Sequence, residues 1–168
     1  MSAPVFGVAG YKNSGKTTLV ERLVRDLSER GVKVSTLKHA HHNFEIDHAG
    51  RDSHRHRAAG AREVAIVSRS RWAVIHELHG SDEPDMEQML AKFAPCDLVI
   101  IEGYRSGPQP KIEIRDVTLD HPVIAGDDNL VVAIAANGPV SETNLPVFDR
   151  DDIDGIANFI ISHCGVRT

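Results

Sequence analysis

Gly10-Tyr11-Lys12-Asn13-Ser14-Gly15-Lys16-Thr17, followed at once by Thr18, fits a phosphate-binding pattern of Gly, four free positions, Gly-Lys and then Ser or Thr. The apolar run Val5-Phe6-Gly7-Val8-Ala9 feeds the first glycine, and Leu19, Val20, Leu23, Val24 and Leu27 follow at helical spacing once Thr17 has opened a helix. The pattern therefore lies between a strand and a helix, where its mechanism requires it. Glycines remove side chains that would block a phosphate, so successive N–H groups between Gly10 and Thr18 can turn inward around an anion. The helix points its positive end at the same spot. Lys16 supplies a mobile charge to the β- and γ-phosphates, the Thr17 hydroxyl is placed for Mg²⁺, and Thr18 for the α-phosphate.

Outward from this loop, Glu29-Arg30-Gly31 ends the helix and Val32 to Leu37 reads as a second strand, so strand, helix and strand form a parallel unit. Asp97-Leu98-Val99-Ile100-Ile101-Glu102-Gly103 holds four consecutive large apolar residues, the mark of a strand covered on both faces. Glu102 emerges at its carboxyl end, where phosphate-loop nucleotidases keep an acidic residue that holds Mg²⁺ or orients the attacking water. Lys111 to Arg115, Leu130 to Ala135 and Pro146 to Phe148 supply further strands, and Asp152 to Ile161 a closing helix. Arg105 and Lys111 are candidates either for an anionic ligand or for plain surface charge. The fold class is α/β: a phosphate-loop NTPase fold with a mostly parallel central sheet and helices on both faces.

Between the second strand and the buried one the composition changes. Lys38 to Arg57 is polar, rich in histidine and arginine, and not periodic, and it leaves the sheet at the same edge as the phosphate loop. Three readings compete for its histidines: a transition-metal site using His39, His41, His42 and Asp47, an anion-binding or catalytic surface, and a solvated loop. Its end, from Asp52, reads as a short capped helix closed by Gly60. Ala61 to Val67 and Trp72 to Leu78, joined by Ser68-Arg69-Ser70-Arg71, predict an antiparallel hairpin (about residues 61–79) that extends the sheet or serves as a dimer contact. Ser81 to Phe93 predicts a helix with Met86, Met89, Leu90 and Phe93 on one face.

The 168 residues suit one domain, 1–168, with a formal charge of −5 and a pI near 6.0. That balance argues against a dedicated nucleic-acid or membrane-surface binder. No stretch reads as a signal peptide or a bilayer span, so the expectation is a soluble cytoplasmic protein. Cys96 and Cys164 lack metal-like spacing and read as two small, partly buried hydrophobes.

Several of these stretches together carry a family resemblance. Asn13 to Leu19, Lys38-His39-Ala40-His41-His42 with Phe44, Asp47 and Gly50-Arg51-Asp52-Ser53, then Ala59-Gly60-Ala61, Ile101 to Arg105 and Pro110 to Glu113 resemble the MobB family. Its members are GTP-binding accessory proteins of molybdopterin-guanine dinucleotide biosynthesis. The resemblance runs from about Val5 to Phe159, and the histidine block is its most diagnostic part. It implies a homodimer that binds GTP with Mg²⁺, hydrolyses it slowly and assists the MobA-type guanylyltransferase, with molybdopterin or a molybdoenzyme as further partners. On the same resemblance Gly10 and Lys12 to Thr18, that is Lys12, Asn13, Ser14, Gly15, Lys16, Thr17 and Thr18, form the nucleotide loop. Thr17 and Glu102 are its magnesium positions, and Lys16 and Glu102 the catalytic pair. The chain departs from the family where Ala49 and Arg51 stand for proline and lysine, and His54 for an aromatic residue.

Guanine preference follows from the resemblance alone, since no Asn-Lys-x-Asp signature occurs. The signature lysine of the deviant phosphate loop in MinD-type ATPases is also absent, because Tyr11 occupies that place. Two other functions share these residues: a small-molecule kinase delivering a γ-phosphate, and a nucleotide-dependent binding module in which turnover is incidental.

Overall fold

Leu98-Val99-Ile100-Ile101-Glu102 is buried at all five positions and forms the strand around which the sheet is assembled. The computed structural model describes residues 3–40, 44–141 and 143–167. Its elements in chain order are β1 (Val5–Ala9), α1 (Lys16–Glu29), β2 (Val34–Lys38), α2 (Asp52–Ala58), β3 (Glu63–Val67), β4 (Trp72–His76), α3 (Met86–Leu90), β5 (Leu98–Glu102), β6 (Lys111–Arg115), a 3₁₀ turn (Ile124–Gly126), β7 (Val131–Ala136), β8 (Val147–Asp149) and α4 (Ile153–Cys164). They group into two units, one made by the chain up to residue 39 and from residue 89 onward, the other by residues 40–88.

The first unit holds a six-stranded sheet in the order β2-β5-β1-β6-β7-β8, every neighbouring pair parallel. Alternation along the strands sends Phe6, Val8, Leu98, Ile100, Ile112 and Ile114 to one face, where Leu19, Leu23 and Leu27 of α1 and Ile156 and Ile160 of α4 meet them. The opposite face carries the 3₁₀ turn, with Ile124 packed against Ala9 and Val131. α1 opens one residue ahead of the expected Thr17 and stops at Gly31, whose φ of 84° suits the left-handed turn after a helix. α4 is capped by Asp152, whose carboxylate accepts the Gly155 amide at 3.0 Å. Burial pushes the Cys164 thiol up to about 11.

In the 40–88 unit, β3 and β4 form the antiparallel hairpin, with Val67 opposite Trp72 and Glu63 opposite His76. α2 is anchored by Arg57, whose guanidinium binds Glu45 at 2.7 Å, Asp47 at 2.6 Å and also Glu77. These carboxylates raise the Arg57 pKa, and the hydrogen bond from the Arg57 guanidinium in turn holds Asp47 below the usual carboxylate range.

The helix expected over Ser81 to Phe93 is corrected to Met86–Leu90. Asp85 Oδ1 accepts the Gln88 amide at 2.8 Å and Gln88 Oε1 accepts the Asp85 amide at 3.0 Å, a reciprocal cap that fixes the start just after Pro84. At the other end Lys92 and Phe93 bond back only three residues, to Met89 and Leu90, and Pro95 follows.

Candidate functional site

β1 delivers the chain to Gly10, and the loop returns it to α1 within six residues. A Cβ at Gly10 would lie 2.5 Å from Ser14 Oγ and 2.7 Å from the Ile114 carbonyl, so only glycine fits against β6. Asn13 sits at φ 65° and Gly15 at φ 97°, left-handed conformations that asparagine and glycine accept most readily. The Ser14 amide donates to Tyr11 O at 3.2 Å and closes the turn. Ser14 is buried, and its Oγ has no hydrogen-bond partner among the described residues. The first amides of α1 have no acceptor within the helix, which leaves the Lys16, Thr17 and Thr18 N–H groups at a positive helix end.

Lys16 turns back over the loop and donates to Gly10 O at 2.9 Å and Tyr11 O at 2.7 Å. Burial lowers its pKa, as does the nearby Lys38 ammonium, while the Glu102 carboxylate acts the other way. Lys12, Asn13, Thr17 and Thr18 are exposed at the mouth. The Thr17 hydroxyl donates to Glu102 Oε1 at 2.9 Å, joining the first turn of α1 to the end of β5. Glu102 is buried, and the parallel register sets it beside Val8 on one side and Lys38 on the other. Two hard oxygens at this spacing suit Mg²⁺.

Lys38 is the residue that sequence reasoning passed over. Its Nζ lies 3.2 Å from Glu102 Oε1 and 3.5 Å from Thr17 Oγ1. Read along the chain it opens the polar block; in space it ends β2 beside the acidic residue, a register that no local pattern reveals. The backbone continues the pairing: the His39 amide donates to Glu102 O at 2.9 Å, and the His39 ring meets Tyr104 at 4.7 Å. A Cβ at Gly103 would come within 2.7 Å of His39 O, so this close approach also requires glycine.

The remaining candidates separate. Lys111, offered as an anion contact or a surface charge, is neither: it is 1 % exposed, and its Nζ donates to Arg105 O at 2.8 Å, Gly107 O at 3.0 Å and Asp128 at 2.9 Å. Those three acceptors use its three donors and fix the 103–110 loop behind β5. Arg105 places its guanidinium 5.3 Å from the Tyr11 ring centroid, and His121 stacks on the same ring at 4.4 Å. Buried Glu113 holds that corner by accepting the Ile124 and Ala125 amides at 3.1 and 2.9 Å and pairing with Arg115 at 2.8 Å. Of the residues named for a transition-metal site, His41 and His42 lie outside the described residues, and Asp47 is paired with Arg57.

A parallel sheet whose first strand passes through a glycine loop into a helix, with a carboxylate at the end of the adjoining strand, defines a phosphate-loop NTPase-type α/β fold. Residues 5–137 match the profile of MobB, molybdopterin guanine dinucleotide synthesis protein B, and the chain belongs to the MobB family. It is 36 % identical over 157 residues to the molybdopterin-guanine dinucleotide biosynthesis adapter protein of Haemophilus influenzae, covering 94 % of this chain and 87 % of that relative. The Escherichia coli protein of the same name is 30 % identical over 161 residues, with 94 % and 91 % covered. The crystal structure of Bacillus subtilis MobB superposes with a TM-score of 0.75 at 27 % identity, with 98 % of both chains covered. The comparison with solved MobB structures thus covers the 40–88 segment as well as the sheet.

Proposed function

We propose that this protein binds GTP with Mg²⁺ on the 10–18 loop, hydrolyses it weakly, and serves as a cytoplasmic, homodimeric adapter in molybdopterin-guanine dinucleotide biosynthesis. Its partner is a MobA-type guanylyltransferase. The observation that carries the nucleotide reading is the Thr17 hydroxyl bonded at 2.9 Å to the buried Glu102 carboxylate, at the mouth of a glycine loop that also holds Lys16. The adapter role rests on family membership and on the names of the relatives from Haemophilus influenzae and Escherichia coli. Guanine as the base rests on the family too.

The loop amides and Lys16 bind the phosphates, and the partial burial that lowers the Lys16 pKa strengthens the attraction of its ammonium for phosphate oxygens. Gly10 and Gly15 keep side chains out of the cradle, while Thr18 stands on the first turn beside the α-phosphate. Thr17 and Glu102 would hold Mg²⁺, which supplies charge neutralisation between the β- and γ-phosphates. Glu102 also orients the attacking water. The weak turnover rests on the family resemblance. The exposed apolar residues of the hairpin, Val67, Trp72 and Val74, support the homodimer.

Calorimetry with GTP and ATP, with and without Mg²⁺, tests the reading. GTP is expected to bind more tightly than ATP, Lys16→Ala to abolish binding, and Glu102→Gln to slow Mg²⁺-dependent hydrolysis more than it weakens affinity. Undiminished GTP affinity in Lys16→Ala would overturn the assignment of the loop.

A further inference from the structure

Resting on the nucleotide reading above, we infer that Lys38 senses the terminal phosphate and so lets the protein distinguish a nucleoside triphosphate from a diphosphate.

Two polar groups from two elements converge on one carboxylate oxygen at the end of a third. Glu102 Oε1 receives the Thr17 hydroxyl from α1 at 2.9 Å and the Lys38 ammonium from β2 at 3.2 Å, and Lys38 Nζ is 3.5 Å from the Thr17 oxygen itself. The two sides of this ion pair differ in freedom: the Glu102 side chain is 10 % exposed and that of Lys38 59 %. A pair with one partner so exposed contributes little to folding, because solvent screens it and ordering a lysine costs rotamer entropy. Stability therefore does not account for a cation at this place.

The oxygens that Lys38 touches are the ones suited to a divalent cation. A cation held by Thr17 and Glu102 would repel an ammonium in contact with both, so the two cannot share the pair. Lys38 has a flexible four-carbon stem and open space to turn into. The negative charge next to such a cation is the terminal phosphoryl group of a triphosphate, and a diphosphate offers no equivalent. Lys16, assigned to the β- and γ-phosphates, reaches the loop from α1 and bonds to the Gly10 and Tyr11 carbonyls, whereas Lys38 approaches from the end of β2 and would add a second, separate contact.

Calorimetry of the full chain and of Lys38→Met and Lys38→Arg, each with GDP and with a non-hydrolysable GTP analogue in Mg²⁺, reads this directly. Loss of a charge-assisted contact is expected to weaken the analogue by about tenfold or more, with GDP unchanged within about twofold, and Lys38→Arg to recover most of the difference. If Lys38→Met does not fold, Lys38→Gln reads the same difference. Wild-type protein that binds both nucleotides, with variants that lose both equally or neither, overturns the role of Lys38 alone. Wild-type protein that binds neither nucleotide overturns the loop assignment and this inference with it.

Discussion

β5 and β4 are both five-residue apolar strands, yet they stand for opposite ways of using apolar residues. Leu98–Glu102 is buried throughout, flanked by parallel neighbours on both edges and covered by helices on one face. Trp72–His76 alternates between exposed and half-buried, with Trp72 at 72 % and Val74 at 50 % exposure. The hairpin register places Val67 against Trp72 and Ala65 against Val74 on one face, closed off by the Glu63–His76 pair at 2.8 Å. Inside the 40–88 unit the pattern is reversed: the tightest contacts are ionic, around an Arg57 side chain that is 13 % exposed. Among the described residues most of the exposed large apolar side chains lie in the 40–88 unit, while the buried ones lie almost wholly in the other. The difference gives the sheet unit the apolar burial that stabilises a fold, and leaves the 40–88 unit with the exposed apolar face on which the proposed homodimer rests.

Substitutions can break that contrast, and the largest effect belongs to the core. Ile100→Ala removes buried atoms from the middle of β5 and is expected to cost about 2–5 kcal/mol in denaturant unfolding of the chain. Trp72→Asp is expected to leave that unfolding free energy within about 0.5 kcal/mol, because the ring is exposed in the isolated chain. On the proposal of a homodimer, sedimentation should nonetheless show it shifting dimer to monomer. A Trp72 variant as unstable as the Ile100 variant would erase the contrast, and one that sediments like the wild type would remove the hairpin from the proposed dimer.

How much of this was legible along the chain depends on the range of the physics involved. Four consecutive apolar residues before Glu102 reveal a doubly covered strand, because burial on both faces leaves no polar alternation. The glycine loop is legible for a similar reason, its conformational demands being met by Gly10, Asn13 and Gly15 in place. Apolar spacing from Ser81 to Phe93 overstates α3, because the local cap between Asp85 and Gln88 sets where the helix starts. Lys38 and Lys111 were hidden differently. A lysine reads as a surface charge until strand register sets it beside a carboxylate, as for Lys38, or loop carbonyls close over it, as for Lys111. Such long-range pairing leaves no periodic trace.

The smallest effect sharpens the comparison at the rim of the sheet unit, where polar contacts take over from the core. Asp116, just beyond β6, accepts the Thr118 hydroxyl at 2.6 Å, the Asn137 side-chain amide at 2.8 Å and the Thr118 backbone amide at 3.0 Å. Asn137 stands just after β7, and its Oδ1 accepts the Val117 amide at 2.8 Å, so the two strand ends are tied through the Asp116 carboxylate and the Asn137 side-chain amide. The Thr118 hydroxyl first, then Asn137, holds its pKa down to about 2 from the ordinary 3.8. A carboxylate depressed on folding adds stability that is complete above the unfolded value and disappears as pH falls through the folded one. Asp116→Asn keeps an acceptor oxygen but carries no charge to titrate. It should therefore be less stable than the wild type at pH 6, and the gap should narrow steadily from about pH 4 toward pH 2, as thermal melts of the two proteins compared pH by pH would show. A gap that stays constant over that interval would mean the rim is held by shape rather than by charge, and would place this corner with the core instead of between the two regimes.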